Sequence, residues 1–270
     1  MTVIGLTIAG SDSGGGAGIQ ADLKTFSALG VYGASVLTAI TAQNTIGVAA
    51  IEEVSAAMVS AQMRAVLGDL AVDAIKIGML SRRETIETVA DGLQGYRGPV
   101  VLDPVMAATS GDRLLRDDAV AVLKARLMPR VDLITPNLHE AAILTGEMIA
   151  ATTDAAMHQA RMLQAGGACS VLVKGGHGTG RECIDILLTA EGELHQFVRP
   201  RLATTNDHGT GCTLSAAIAA RLAKGDGLAA AVAAAGDYLH AALIAGRDLK
   251  VGGGRGPVHH FFGNRQRFRF

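Results

Sequence analysis

The sequence predicts a doubly wound α/β fold, with a mostly parallel sheet, helices on both faces and an antiparallel edge. Three observations support this prediction. Short runs of apolar, β-branched residues alternate with helical patterns along most of the chain. Two such runs in the C-terminal third flank a turn at residues 190–193, which predicts a hairpin. Apolar residues make up 49% of the 270, enough for a sizeable core.

The predicted strands are almost wholly apolar, as strands buried on both faces of a sheet are. Six of them lie at Val3–Ala9, Ala34–Ala39, Ala74–Ile77, Val100–Leu102, Leu133–Thr135 and Ser170–Val173. The two hairpin strands follow at Ile184–Leu188 and Leu194–Val198. Since parallel strands need a crossover connection, helices are expected between the first six runs.

The predicted helices fall in those gaps and after the hairpin. They lie at Ile19–Leu29, Ser55–Leu67, Arg83–Gln94, Asp117–Leu127, Leu138–Leu144, Asp154–Gln164, Thr213–Ala223 and Leu228–Leu243. No repeat or low-complexity linker divides the chain, so residues 1–270 are predicted to form a single domain. Residues 264–270 alternate basic and aromatic side chains, and we expect a flexible tail there.

Composition indicates the class of partner and the compartment. A formal net charge of −1 with interleaved signs gives no electrostatic footprint for nucleic acid or a membrane surface, which leaves a small molecule. Three cysteines without C-x-x-C spacing and eight histidines without H-x-x-x-H spacing disfavour zinc and disulfides and suit the cytoplasm. The most apolar stretch, Leu228–Ala245, is interrupted by Gly236, Asp237 and His240, so no membrane insertion is expected.

The most informative segment is His208–Ser215, which opens an alanine-rich helix with the residues Gly209, Thr210, Gly211 and Cys212. Successive backbone N–H groups and the positive end of the helix dipole would hold an anion such as a phosphate. A cysteine at a helix N-terminus has its pKa lowered from about 8.5, so Cys212 is a candidate general base. A helix cap followed by a small buried cysteine fits the same residues equally well.

Further candidates follow other predicted strands, where ligands bind in open α/β sheets. The glycine-rich loop Gly10–Gly18 precedes a helix that carries Asp22 and Lys24. It is not a phosphate-binding P-loop, because no Gly-Lys-Ser/Thr ends it. It also fits the dinucleotide fingerprint poorly, because Gln43 stands about where that fingerprint needs an acidic residue.

Two segments could recognise a flat heteroaromatic ring. The amide of Gln43 both donates and accepts hydrogen bonds, and the thioether of Met79 can pack on a ring face. A strand-end cap and ordinary core packing are the alternatives for these two positions.

Polar residues after the next three strands suit a nucleotide and its metal. Asp103 and Glu140 could hold Mg²⁺ through water, although Asn137 and Glu140 are also ordinary helix-capping residues. Lys174 precedes flexible glycines, as a phosphate-binding cation would, or it is a surface hairpin lysine.

Together these segments closely resemble the hydroxymethylpyrimidine and phosphomethylpyrimidine kinases of thiamine synthesis, in the ribokinase-like superfamily. The resemblance runs nearly end to end, through Ala9–Lys24, Thr41–Thr45, Lys76–Leu80, Asp103–Met106, Thr135–Glu140, Val173–His177, His208–Ser215 and Gly252–Phe261. It implies a three-layer α/β/α kinase that uses ATP and Mg²⁺. The implied reaction phosphorylates 4-amino-5-hydroxymethyl-2-methylpyrimidine and then its monophosphate.

The resemblance also implies roles for individual residues. The pyrimidine pocket would comprise Gly10, Asp22, Gln43, Met79 and Val105, with the Gln43 amide pairing with the ring amine and a ring nitrogen. Magnesium and the ATP phosphates would lie against Asp103, Asn137, Glu140, Lys174, Gly209 and Gly211. The backbone N–H groups of residues 209–212 would stabilise the transferred group, with Cys212 as the base. A homodimer is implied as well.

The chain departs from sugar kinases of the superfamily, which place an aspartate where Cys212 stands. We hypothesise that a neutral thiol tolerates a phosphate acceptor that a fixed carboxylate would repel. The nearest rival function is a pyridoxal or pyridoxine kinase, which the pocket residues Gln43 and Met79 disfavour. A catalytically silent sensor is the other rival, and the joint presence of Cys212, Lys174, Glu140 and Asp103 argues against it.

Overall fold

The computed structural model describes residues 1–107, 111, 114–178 and 180–263. In this part of the chain nine strands form one sheet in the order β3-β2-β1-β4-β5-β6-β7-β8-β9. The strands are β1 Ile4–Asp12, β2 Tyr32–Gln43, β3 Val48–Glu53, β4 Ala74–Ile77, β5 Val100–Leu102, β6 Leu133–Ile134, β7 Ser170–Val173, β8 Glu182–Leu188 and β9 Leu194–Pro200. The six strands β2, β1, β4, β5, β6 and β7 run parallel, in agreement with the predicted fold class.

The helices pack on the two faces of the sheet. They are α1 Gly18–Ala28, α2 Ala56–Asp69, α3 Arg83–Gly92, α4 Asp117–Val122, α5 Leu138–Thr145, α6 Thr153–Ala165, α7 Thr210–Ala223 and α8 Leu228–Gly246. A π-helical turn, Leu123–Leu127, continues α4 to the end of its predicted range. Each predicted helix is therefore present, with ends within a few residues of the prediction.

Both edges of the sheet are antiparallel, whereas one such edge was predicted. The predicted hairpin is β8 and β9, and β3 pairs antiparallel with β2 at the other edge. The sequence analysis missed β3 because its side chains are mostly exposed and it includes two glutamates, so it lacks the continuous apolar signal of a buried strand.

The strand order places a topological switch beside β1. The chain runs from β1 to β2 on one side and then crosses to β4 on the other. The loops that leave the carboxyl ends of β1 and β4 therefore diverge and leave a crevice between them. Alternation along β4 sends Ile75 and Ile77 into one apolar layer and Ala74 into the other.

Among the helices of the described residues, one, α8, is long and apolar enough to cross a membrane by its length and composition. Core helices meet the same condition, and α8 packs along α7 with its buried residues Ala231, Val232 and Ala235 in the second apolar layer. Composition alone therefore gives weak support for a span.

The segment after α8 folds back over the sheet. Buried Asn206 donates from its amide to the carbonyl oxygens of Gly246 and Leu249, each at 2.8 Å. The backbone N–H of Gly254 donates to Thr45, at the tip of the β2–β3 hairpin. The predicted tail at residues 264–270 lies outside the described residues.

Candidate active site

A cavity of about 860 Å³ lies at the carboxyl ends of the parallel strands. Twelve of the thirteen predicted site residues line it: Gly10, Gln43, Met79, Asp103, Val105, Asn137, Glu140, Lys174, Gly209, Thr210, Gly211 and Cys212. They come from seven segments of the chain, and the strand order brings them together because those segments leave the same edge of the sheet.

The N-terminus of α7 faces the cavity with its backbone exposed. Gly209 is the N-cap, with φ of 79°, and no side chain caps the helix. A Cβ at Gly209 would collide with the carbonyl oxygen of Gly16, and one at Gly211 would lie 3.3 Å from both Asp103 Oδ2 and Lys174 Nζ. Glycine is therefore required for the turn to approach the loop and the charged pair so closely, leaving a helix N-terminus suited to an anion.

Cys212 stands in this turn, but its thiol is not activated as the sequence analysis expected. Burial raises the pKa of Cys212 to about 11, against the lowering effects of the Lys76 charge and a hydrogen bond from the Gly18 backbone. Asp22 and Asp103 add to the rise. The expectation of a lowered pKa is wrong because desolvation of the thiolate outweighs the nearby positive groups.

Lys174 lies inside the site rather than on a surface hairpin. Its Nζ donates to Asp103 Oδ1 at 2.6 Å, and Thr135 donates to the same oxygen at 3.2 Å. Burial lowers the pKa of Lys174, but Asp103 and Glu140 outweigh it and hold the pKa above the ordinary value. A fixed cation thus stands beside the N-terminus of α7.

Asn137 and Glu140 cap α5 and line the cavity at the same time. The Asn137 side chain accepts from the Glu140 backbone at 2.9 Å, and Glu140 Oε2 accepts from the Asn137 backbone at 2.8 Å. The capping alternative is therefore confirmed. Burial raises the pKa of Glu140 to about 7, with Asp103 adding to the rise and Lys174 opposing it.

Near Gln43 and Met79 the cavity has polar side chains at its rim and apolar ones at its floor. Thr41 Oγ1 lies 2.8 Å from the Ser11 carbonyl oxygen, to which it donates, and 3.1 Å from Gln43 Oε1. Met79 is 8% exposed, and its sulfur lies 3.1 Å from where a Cβ on Gly10 would stand. A side chain at position 10 would therefore displace the thioether from the cavity.

Asp22 is the one predicted site residue that does not line the cavity. It is fully buried, where its Oδ2 accepts from Lys76 Nζ at 2.8 Å and from Thr7 at 2.6 Å. Its predicted contact with a substrate stays a prediction. Lys76 lines the cavity instead, and the signal for it was a lysine within an otherwise apolar strand.

Asp12 and His208 were also missed. Asp12 Oδ2 accepts from the backbones of Gly16 and Ala17 at 3.0 and 2.8 Å, and His208 Nε2 lies 2.9 Å from it. Burial raises the pKa of Asp12, but these hydrogen bonds outweigh it and the net shift is downward. The pair joins the glycine-rich loop to the α7 turn, so the two cavity walls form one unit.

The far end of the cavity is bounded by the loop after β7. Arg201 donates to the carbonyl oxygens of Gly180 and Glu182 at 2.8 and 3.1 Å, and Asp185 accepts from the Gly175 backbone at 2.8 Å. These bonds shape backbone around Lys174. The sequence analysis did not single out either residue, because nothing in their local pattern distinguishes them from hairpin residues.

The fold and this cavity are those of a small-molecule kinase of the ribokinase-like class. The family model described as phosphomethylpyrimidine kinase matches residues 12–259. The chain belongs to the phosphomethylpyrimidine kinase family.

Individual relatives agree with this family. A hydroxymethylpyrimidine/phosphomethylpyrimidine kinase of Rhizobium meliloti is 62% identical, covering 97% of this chain and 98% of that one. The crystal structure of a phosphomethylpyrimidine kinase from Clostridium difficile has a TM-score of 0.79 at 42% identity, over 90% of this chain and all of the other. A pyridoxal kinase from Staphylococcus aureus in complex with ADP has a TM-score of 0.90 at 31% identity, over 98% and 96%.

Proposed function

We propose that this chain catalyses two ATP-dependent phosphoryl transfers in thiamine biosynthesis. The first makes the monophosphate of 4-amino-5-hydroxymethyl-2-methylpyrimidine, and the second makes the diphosphate. One observation carries the proposal: the α7 turn, the Lys174–Asp103 pair and the pair Gln43 and Met79 line one cavity. Family membership gives the reaction class, and the cavity supports roles for these residues.

The transferred phosphoryl group would lie at the N-terminus of α7. Phosphoryl transfer depends mostly on positioning and on stabilising charge at the phosphoryl oxygens. The backbone N–H groups of Gly209–Cys212 and the Lys174 ammonium supply that stabilisation from two sides. Asn137 would contact the nucleotide phosphates from the next strand end.

The pyrimidine would bind between Gln43 and Met79, with backbone of Gly10 and Val105 at its edges. The Gln43 amide would accept from the ring amine through Oε1 and donate to a ring nitrogen through its N–H group. Asp22 acts from behind the cavity wall rather than by contact.

Cys212 would remove the acceptor proton as the thiolate, which is the minor form in the free protein because the pKa of the thiol is about 11. A neutral group next to the acceptor does not repel a phosphate dianion, which suits the second transfer. For the hydroxyl acceptor, proton removal would occur late, as the new bond to phosphorus forms.

Magnesium fits the donor set only together with ATP. No group of three or more His, Cys, Asp or Glu side chains able to hold a metal is found in the part of the chain that the structure describes. Mg²⁺ needs only one or two carboxylates plus phosphates and water, and Asp103 and Glu140 would supply these. When bound, the ion would neutralise charge on the ATP phosphates.

We also propose that residues 1–270 act as one kinase domain, in a homodimer, in the cytoplasm. Apolar side chains exposed on one edge of the molecule, Ile40 and Ile51 of the β2–β3 hairpin and Met58 of α2, are available for a contact between copies. Light scattering at several concentrations would measure the oligomeric state.

Phosphorus NMR of the products tests the proposed activity. The chain is incubated with ATP and Mg²⁺ and either the pyrimidine alcohol, its monophosphate or pyridoxal. We expect the diphosphate from both pyrimidine substrates. Phosphorylation of pyridoxal alone, with the pyrimidine monophosphate unchanged, would instead support a vitamin B6 kinase.

A further inference from the structure

Lys76 is a buried cation that the roles above do not use. It belongs to β4, where its three neighbours are apolar, and its side chain and that of Asp22 are 0% exposed. Its Nζ donates to Asp22 Oδ2 at 2.8 Å, and Thr7 donates to the same oxygen at 2.6 Å. The three residues come from β4, α1 and β1, so the sheet and one helix hold the ammonium group in place.

Stability is a poor explanation for this pair. Taking both charges out of water offsets most of their attraction, and apolar residues of the same volume often serve a fold as well or better. Asp22 Oδ1 has no hydrogen-bond partner among the described residues, which adds to the cost. The pair is therefore better explained by the effect of the Lys76 charge on groups in the cavity.

Lys76 and Cys212 line the same cavity. Gly78 leaves room for the ammonium group, because a Cβ at that position would lie 2.8 Å from Nζ. Four charged groups act on Cys212 from the elements around it: Lys76, Lys174, Asp22 and Asp103. Lys76 has the largest influence of any charged group on the pKa of the thiol, and it lowers that pKa.

We propose that Lys76 is a positioning residue for the reaction, held by its ion pair with Asp22 so that its charge stabilises negative charge on the Cys212 sulfur and the acceptor oxygen. This inference rests on the proposed function of Cys212. It gives Asp22 a part in the reaction without contact to substrate. The pair then supplies a fixed positive charge at the acceptor end, while Lys174 supplies one at the nucleotide end.

Alkylation of Cys212 tests the proposal independently of turnover. Cys169→Ser and Cys183→Ser leave Cys212 as the single cysteine, since the chain has three. In this parent, iodoacetamide labelling is followed by intact mass as a function of pH. The test variant adds Thr7→Val, Asp22→Leu and Lys76→Met, which remove the whole polar network at similar volume, and Thr7→Val alone is the matched control.

We expect the test variant to fold with stability close to that of the parent. Its labelling in the neutral range should slow by about threefold, the effect of about half a pKa unit, because loss of the Lys76 charge outweighs the opposite effect of losing Asp22. Its kcat for the hydroxymethyl acceptor should fall while KM for ATP stays unchanged. Thr7→Val, which keeps both charges, should label like the parent. If the test variant does not fold, Lys76→Met with Asp22→Asn, which also removes both charges, carries the same labelling test.

A labelling profile identical to that of the parent would overturn the proposal, even if activity fell. A parent that does not phosphorylate the pyrimidine, with the labelling shift intact, would instead overturn the proposed function and leave the charge effect on Cys212 standing.

Discussion

At Cys212 two effects of opposite sign meet. The start of α7 and the Lys76 charge favour a thiolate, and burial disfavours it. Burial prevails, because a thiolate loses more by leaving water than it gains from one paired ammonium group and one backbone N–H. The thiol is thus neutral at ordinary pH, and in the proposed reaction it would tolerate an anionic acceptor that an aspartate would repel.

Cys212→Asp should therefore damage the second transfer more than the first. We expect kcat/KM for the monophosphate acceptor to fall at least about tenfold further than that for the hydroxymethyl acceptor, because a fixed carboxylate repels the phosphate. Steady-state kinetics with each acceptor measures the difference. Cys212→Ser, which is neutral and of similar size, is the control and should affect the two transfers more equally. Equal losses in Cys212→Asp would contradict this account.

Glu140 should make the protein less stable as pH rises. Its pKa is about 7 in the folded chain and near 4.5 when exposed, so the folded state binds more protons between these values. Stability contributed by the protonated carboxyl is complete below the lower value and is lost as pH rises through about 7.

Glu140→Gln tests this dependence. Relative to the wild type, the variant should gain on the order of 1–3 kcal/mol in unfolding free energy between acidic and mildly alkaline pH. Urea unfolding at the two pH values measures it. A wild type and variant that change in parallel would show that the carboxyl titrates normally.

At the scale of elements, the glycine-rich loop and the N-terminus of α7 act as one structure. Asp12 accepts from the loop backbone and lies 2.9 Å from His208, and Gly16 and Gly209 lack side chains where the two segments meet. A shift of either segment would therefore move the anion-binding N–H groups. Loss of this geometry is expected to cost more than loss of the thiol.

Gly209→Ala is the direct test of the turn. The new Cβ would collide with the Gly16 carbonyl oxygen, so kcat should fall by about a hundredfold to a thousandfold, as it does when a stabilising donor is lost. Gly225→Ala is the matched control. Gly225 lies just after α7 with φ of 88°, and a Cβ added there would have no neighbour within 4 Å. The substitution therefore introduces backbone strain without a steric clash.

For Gly225→Ala we expect a loss of about 1–2 kcal/mol in stability and an unchanged kcat. Equal kcat values for the two variants would show that the turn does not position the reacting groups.

At the scale of the whole molecule, distant segments of the chain close around the sheet. Asn206 holds the end of α8 and the segment after it, and Gly256 has no side chain where that amide packs. The same segment contacts Thr45 at the β2–β3 hairpin. The C-terminal region thereby connects the β2–β3 hairpin with the end of α8.

Asn206→Ala should destabilise the whole fold. The carbonyl oxygens of Gly246 and Leu249 would lose their hydrogen bonds from the Asn206 amide, which should lower the free energy of unfolding by about 1–3 kcal/mol. Thermal unfolding measures the change in Tm. Asn44→Ala is the control, because Asn44 is exposed and its side chain accepts only from the adjacent turn. Similar losses in both variants would contradict a special role for the buried amide.

The sequence by itself determined the alternation of parallel strands and helices, the C-terminal hairpin and twelve of the residues that line the cavity. These follow from local signals: continuous apolar runs, helix caps and glycines beside polar groups at strand ends. The edge strand β3 gave no such signal, because an exposed strand needs no apolar run.

Only the tertiary structure decided the protonation of Cys212, the place of Asp22 behind the cavity and the pairing of Asp12 with His208. Desolvation depends on which atoms surround a group, and pairs such as Asp12 and His208 lie 196 residues apart in the chain. No local pattern carries that information. The protonation state of a site residue can therefore be predicted only when the folded sheet shows which groups surround it.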